Sequence, residues 1–194
     1  MDSMQQKDDQ YYLEQTRKGD LQAFSVLVGK YEKMVFTLCL RMLKIREEAE
    51  EAAQDSFIKV YQHLSSFKGD SKFSTWLYKI TYHECLGKLR KKKIHFELNE
   101  EITPEDENHI HWENGLEILV KEEREKAIRK AIESLSSNEA AVITLFYMDE
   151  LSIKEISAIT SLSESNIKVV LHRGRKNLTK TLLDLSEKKL VDIK

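Results

Sequence analysis

One proline, six glycines and two cysteines in 194 residues leave this chain few means of breaking a helix. With 33% charged residues beside that scarcity, the composition reads as almost entirely helical. No run approaches the roughly 18–20 apolar residues of a membrane span, and no signal-peptide pattern opens the chain. Cys39 and Cys85 lack any CxxC partner, and each falls within an apolar helical pattern. That excludes a disulfide framework and predicts two buried free thiols in a reducing cytosol. Net charge is also scarce, at −2 with a pI near 6.3. Spread evenly, such a balance argues against a nucleic-acid partner; the charge is not spread evenly, and distribution decides. The 41% of hydrophobic residues suffice for real cores, in one large domain or two small ones.

The stretch from Ser66 to Lys93 holds eight Lys and Arg against two Asp and Glu, a local charge of +6. A turn signal, Lys68-Gly69-Asp70-Ser71, opens it, with Ser71 placed to cap a helix. Phe73, Trp76, Leu77, Ile80, Leu86 and Leu89 form a helical stripe. Aromatics at Phe67, Phe73, Trp76, Tyr78 and Tyr82 alternate with lysines, and the helix ends in Arg90-Lys91-Lys92-Lys93. Flat rings stack on unpaired bases and cations track phosphates, so this mixture suits single-stranded nucleic acid. The competing reading makes the rings core and the charges a solvated helix end; Trp76, inside the stripe, reads as core.

Three helices precede that stretch. One runs from Asp9 to Lys18 and stops at Gly19. A second, capped by Asp20, has its apolar face at Ala23, Phe24, Leu27, Tyr31, Met34, Val35, Leu38 and Met42. A third, from about Glu47 to Leu64, opens on acidic residues that complement its dipole. Short turns between helices of this length predict an antiparallel bundle. From Ile94 to Gly115 the period is lost. Eight carboxylates and no Lys or Arg lie between Glu97 and Glu117, with Pro104 among them, which predicts a linker with little fixed structure. His109, His111 and Glu113 are a poor metal set without further Cys or His nearby, so no metal is expected.

Periodicity resumes from Leu116 to about Leu135. Ser136 with Glu139, then Ser152 with Glu155, are two capping boxes. The helix after Ser152 is short; Ser163 then caps a long one with Ile167, Leu171, Gly174 and Leu178 inward. A short helix, a three-residue turn and a longer helix make a helix-turn-helix unit. From Glu164 to Lys180 five basic residues face one acidic residue. The outward face (Ser165, Asn166, Lys168, His172, Arg173, Arg175, Lys176) fits a DNA major groove.

Ala49-Glu50-Glu51-Ala52-Ala53-Gln54-Asp55-Ser56-Phe57 and Phe73-Ser74-Thr75-Trp76-Leu77-Tyr78-Lys79-Ile80 resemble two motifs of the extracytoplasmic-function (ECF) group of bacterial sigma factors. Glu155-Ile156-Ser157, the run Leu162–Lys168 and His172-Arg173-Gly174-Arg175-Lys176-Asn177-Leu178 resemble the group's helix-turn-helix. The resemblance spans roughly residues 10–93 and 116–183. Three positions depart from the pattern: His83 stands for Asn, Ser161 for the turn glycine and Gly174 for Ala. The resemblance implies an all-α chain of two small bundles: sigma region 2 over residues 1–93, an acidic linker over 94–115 and sigma region 4 over 116–194.

It further implies a cytoplasmic protein, neither an enzyme nor membrane-inserted, that needs no cofactor. Its partners would be core RNA polymerase, promoter DNA and an anti-sigma factor. Polymerase would meet Glu50, Glu51, Gln54, Asp55 and Phe57. The −10 element, melted and then duplex, would meet Phe67, Lys68, Asp70, Ser71, Lys72, Lys79, His83, Lys88, Arg90 and Lys91. The −35 duplex would meet Ser165, Asn166, Lys168, Val169, His172, Arg173 and Lys176. One rival is a helix-turn-helix regulator with an N-terminal sensor or dimerisation bundle. The other is an enzyme using His83, Glu84 and Cys85. Adjacent helical residues point roughly 100° apart, so those three make a poor triad.

Overall fold

The computed structural model describes residues 8–98 and 116–191. Among them the secondary structure is helical and no strand occurs. The helices are α1 (Asp9–Arg17), α2 (Leu21–Leu43), α3 (Arg46–His63), α4 (Phe73–Leu98), α5 (Leu116–Glu133), α6 (Ser137–Tyr147), α7 (Ile153–Thr160) and α8 (Glu164–Val191), with a 3-10 turn at Leu64–Ser66.

Local chemistry sets most boundaries. Asp8 Oδ1 accepts from Tyr11 N to start α1, and Gly19 leaves it at φ +95°, where a Cβ would be strained. Asp20 accepts from Gln22 N and Ala23 N to start α2. Both capping boxes form as expected, at Ser136/Glu139 and Ser152/Glu155, and Ser163 Oγ takes Asn166 N. Two expectations shift. Ser71 does not cap α4: its hydroxyl donates to the Lys72 carbonyl, and Lys72 O accepts the first helical bond, from Trp76 N. Helix α4 also runs past the basic cluster to Leu98, so residues 94–98, expected in the linker, are helical. Residues 94–98 (Ile-His-Phe-Glu-Leu) contain no Gly or Pro and end on the good helix formers Glu97 and Leu98, so loss of amphipathic period is not itself a stop signal. Residues 99–115, with His109, His111 and most of the acidic run, lie outside the described part.

Helices α1–α4 pack around Leu13, Leu27, Val35, Leu38, Met42, Val60, Leu64, Phe73 and Leu77, and α5–α8 around Leu135, Leu145, Ile156, Ile159 and Ile167. Each such side chain stabilises its bundle by about 1.5–3 kcal/mol relative to exposure. Cys39 and Cys85 are both fully buried free thiols. The hydrogen bond with Cys85, and then burial, drive the Cys39 thiol above its ordinary pKa.

The two bundles are docked on one another, α2 against α6 and α4 against α7. Ser137 Oγ donates to Met42 O at the end of α2 (2.8 Å), and Tyr82 Oη donates to Asn138 Oδ1 (3.0 Å). Tyr78 is buried in the same joint, facing Asp149, without a hydrogen bond of good geometry to its hydroxyl.

Candidate nucleic-acid interface

Helix α8 leaves its turn with its inner side committed. Ile167, Val170, Leu171 and Gly174 are buried, at the three- and four-residue spacing of one face. The turn before it is held by Ser157 Oγ on Leu162 O (2.6 Å) and by Ser161 in the left-handed region (φ 61°), which is where the glycine departure falls. Ser165, Asn166, Lys168, Val169, His172, Arg173 and Lys176 are all exposed on the outer side.

The arginines of this face already have internal partners. Arg173 Nε donates to Glu139 Oε1 at 2.6 Å, and Asn177 Nδ2 reaches the same oxygen at 3.2 Å. Burial pushes the Glu139 carboxyl upward, but hydrogen bonds from Ser136 and the pairing with Arg173 outweigh it and hold the group below its ordinary pKa. Arg175 lies over the rings of Phe146 and Tyr147, 5.9 and 5.6 Å from their centres. Lys168, His172 and Lys176 have no such partner among the described residues. The sequence marked Glu139 only as a capping residue; its second role depends on α8 crossing α6.

In the first bundle, Lys72, Lys79, His83 and Arg90 recur at seven, four and seven residues, one stripe along α4, and all are exposed. His83 is held below its ordinary pKa by burial, then by Lys79 and Arg90, so near neutral pH it is an uncharged ring in a basic row. Lys68, Asp70, Ser71 and Lys91 are exposed as well. Lys72 Nζ lies 3.9 Å from Glu155 of α7, across the joint.

Two candidates are corrected by geometry. Phe67 is only 7% exposed, its ring packed on Phe73 and Trp76 at 5.8 and 5.1 Å, so it closes the core instead of offering a stacking face. Lys88 lies off the basic row, with Nζ 3.1 Å from Glu51 and 3.0 Å from Asp55, so two α3 carboxylates neutralise it. The rings of Tyr78 and Tyr82 are likewise buried. Trp76 is half-buried against Phe67 and Phe73, as its place in the stripe indicated.

Glu50, Glu51, Gln54 and Asp55 lie on the outer side of α3, with Phe57 partly buried. Glu50 pairs with Arg46 at 2.9 Å, and Glu51 and Asp55 share Lys88. Beside this bundle a cleft of about 740 Å³ lies between the end of α1, the end of α3 and the loop before α4; Arg17, Tyr61, Gln62, Phe67 and Lys68 are among its lining residues. Among the described residues no cluster of His, Cys, Asp or Glu is arranged to hold a metal, and no helix is long and apolar enough to cross a membrane.

The described helices thus form a bundle with a basic helix row docked on a second bundle that contains a helix-turn-helix. Residues 27–94 match the family model for sigma-70 region 2, and residues 125–178 match that for sigma-70 region 4. The ECF RNA polymerase sigma factor SigW of Bacillus subtilis is 36% identical over 179 residues, covering 89% of this chain and 96% of that protein. The ECF sigma-E factor of Salmonella typhimurium is 32% identical, covering 88% and 92%. Among solved structures, the Bartonella quintana sigma factor RpoE, crystallised with the anti-sigma factor NepR, has a similar fold. It aligns at a TM-score of 0.67 with 21% identity, covering 82% of this chain and 96% of that one. The chain belongs to the ECF group of RNA polymerase sigma factors, and it directs transcription by RNA polymerase. That family is not known for enzymatic activity.

Proposed function

We propose that the two basic faces divide promoter recognition between them. The outer side of α8, through Ser165, Asn166, Lys168, Val169, His172 and Lys176, reads the −35 duplex in the major groove. Arg173 contributes phosphate contacts through the guanidinium nitrogens that Glu139 does not use. The loop from Lys68 to Lys72 holds the melted −10 strand, and the row Lys79, His83, Arg90 and Lys91 follows the adjoining duplex. Residues 1–93 act as the −10 and polymerase-binding unit, 116–194 as the −35 unit and 94–115 as the connection. Core polymerase meets the outer side of α3 at Glu50, Glu51, Gln54, Asp55 and Phe57. The protein works in the cytoplasm, catalyses no reaction of its own and is held inactive by an anti-sigma protein. A fold neighbour, the sigma factor RpoE of Bartonella quintana, is solved in complex with the anti-sigma factor NepR, which supports that last point.

One observation carries this reading: the two solvent-facing basic surfaces lie on different bundles, one on a helix-turn-helix and one on a helix that has no such unit. The test is run-off transcription from purified core polymerase and this chain with no other sigma factor, with footprints of the resulting complex. Promoter-specific transcripts and protection near both −10 and −35 are expected. A chain that binds duplex DNA but neither binds core polymerase nor supports initiation would instead be a helix-turn-helix regulator.

A further inference from the structure

The last turn of α1 sends one side chain across the first bundle. Arg17 Nη2 donates to the carbonyl of Leu64 at 3.4 Å and to the carbonyl of Phe67. These two carbonyls bracket the 3-10 turn that ends α3 and leads into the loop before α4. The Leu64 carbonyl also accepts Phe67 N at 3.2 Å within the turn, so Arg17 is a second donor there, while it reaches the Phe67 carbonyl just past the turn's end. Both bonds come from the one nitrogen, Nη2, and each is charge-assisted because the guanidinium is ionised. Gly19 then turns the chain away at φ +95°, which lets α1 end beside the loop.

On its other side this turn is held by Phe67, whose ring is packed on Phe73 and Trp76. The entry to the loop is therefore gripped from within by an aromatic cluster and from without by Arg17, and Arg17 also lines the cleft next to Lys68. Residues 68–72 are exposed. Among the described contacts, Arg17 is the side chain outside the α3–α4 segment that bonds to the backbone at the entrance to that loop.

We propose that Arg17 is a positioning residue for promoter opening, acting through the Leu64 and Phe67 carbonyls to hold the strand-capturing loop in its working shape. This rests on the reading of residues 68–72 as the strand-holding loop. It gives α1 a part in melting that neither its sequence nor its distance along the chain indicates.

The experiment compares holoenzymes carrying wild-type chain, Arg17→Ala, Arg17→Lys and Lys68→Ala on a closed duplex promoter and on the same promoter with a pre-melted −10 bubble. Core-polymerase affinity and thermal melting are measured alongside. Arg17→Ala should open the closed promoter roughly tenfold more slowly, about the worth of one charge-assisted hydrogen bond. It should approach wild type on the bubble and keep its affinity for core; Arg17→Lys should recover part of the rate. Lys68→Ala should show the same split between templates. If Lys68→Ala shows the split and Arg17→Ala does not, the positioning role is wrong while strand capture by the loop stands. A lowered melting temperature for Arg17→Ala with equal rates on both templates would make it a structural brace only. If neither variant shows the split, the loop does not capture the strand and the proposal falls with that reading.

Discussion

Arg173 on α8 and Glu139 on α6 meet at 2.6 Å, with the Glu139 side chain 5% exposed and the Arg173 side chain 58% exposed. One oxygen of that carboxylate, Oε1, accepts from Arg173 on the basic face, while the other, Oε2, receives Ser136 N and Oγ and closes the α6 cap. A single acidic group therefore links the start of one helix to the middle of another.

Glu139→Gln should destabilise the second bundle by about 1–3 kcal/mol, the usual cost of an imperfectly satisfied buried group. The Glu139 carboxyl is held below its ordinary pKa in the folded chain, so its contribution is present above the unfolded value. That contribution is lost as pH falls through the folded one. Urea melts of the wild-type chain should weaken with acidification over that window, and Glu139→Gln should remove this component. An identical acid dependence in the two proteins would show that the ionised carboxylate is not stabilising.

Arg173→Ala should lower promoter affinity and stability together, because it removes the partner of Glu139. Lys168→Ala and Lys176→Ala should lower affinity alone, each reducing the salt slope of binding by about 1 if it meets a phosphate. Binding titrations across salt concentrations, paired with melting curves, separate the two kinds of loss.

Asp149 sits half-buried in the joint between the bundles, and burial raises its carboxyl above the ordinary value, only partly offset by Tyr78. A raised acid prefers its neutral form in the docked state. Docking is therefore strongest below the unfolded carboxylate pKa and weakens as pH rises through the raised one. Asp149→Asn should tighten docking near pH 7 and flatten its pH dependence, read by energy transfer between labels on the two bundles. Unchanged transfer in the variant at every pH would remove Asp149 from the joint's energetics.

Gly174 occupies a helix interior where Ala is better by about 1 kcal/mol. A Cβ there would lie 3.0 Å from Ile143 Cγ1 and 3.2 Å from Cδ1. The close approach outweighs the propensity, so Gly174→Ala should be destabilising by about 1 kcal/mol. Combined with Ile143→Val, which removes Cδ1, it should cost less than the sum of the two single changes. Strictly additive melting data would mean that the two sites do not touch.

Cys39 and Cys85 should react with a soluble disulfide reagent only when the bundle opens, since both are fully buried and the Cys39 thiol is driven strongly toward its protonated form. Labelling should be slow in the native chain and quick for both thiols in denaturant. Rapid native labelling would indicate that α2 and α4 separate readily.

Most helix starts were legible because a cap acts within four residues. Asp20, Ser136, Ser152 and Ser163 each find their backbone N–H locally, whatever the rest of the chain does. Ser71 was not legible in this way, because the approach to α4 is set by the aromatic packing of Phe67 and by Arg17 from far along the chain. The outer residues of α8 could be named from the buried stripe of Ile167 and Leu171, since a helix fixes which positions lie opposite. In the first bundle, alternation of rings and cations does not tell a stacking face from a core, and the resemblance that implies DNA contacts for Phe67 and Lys88 carries no information on the packing that buries one and pairs the other.

The sequence by itself determined an all-helical chain, its caps, the helix-turn-helix and the two basic stretches, because periodicity and capping depend on neighbours a few residues apart. Tertiary structure alone decided which of those charges are spent. Lys88 is neutralised by two carboxylates of α3, Arg173 gives its Nε to Glu139 and Lys72 lies near Glu155, each through a contact between residues far apart in sequence. It also decided that α2 and α4 dock on α6 and α7 through Met42–Ser137 and Tyr82–Asn138. Such contacts depend on the relative placement of whole helices, which no short window of sequence encodes.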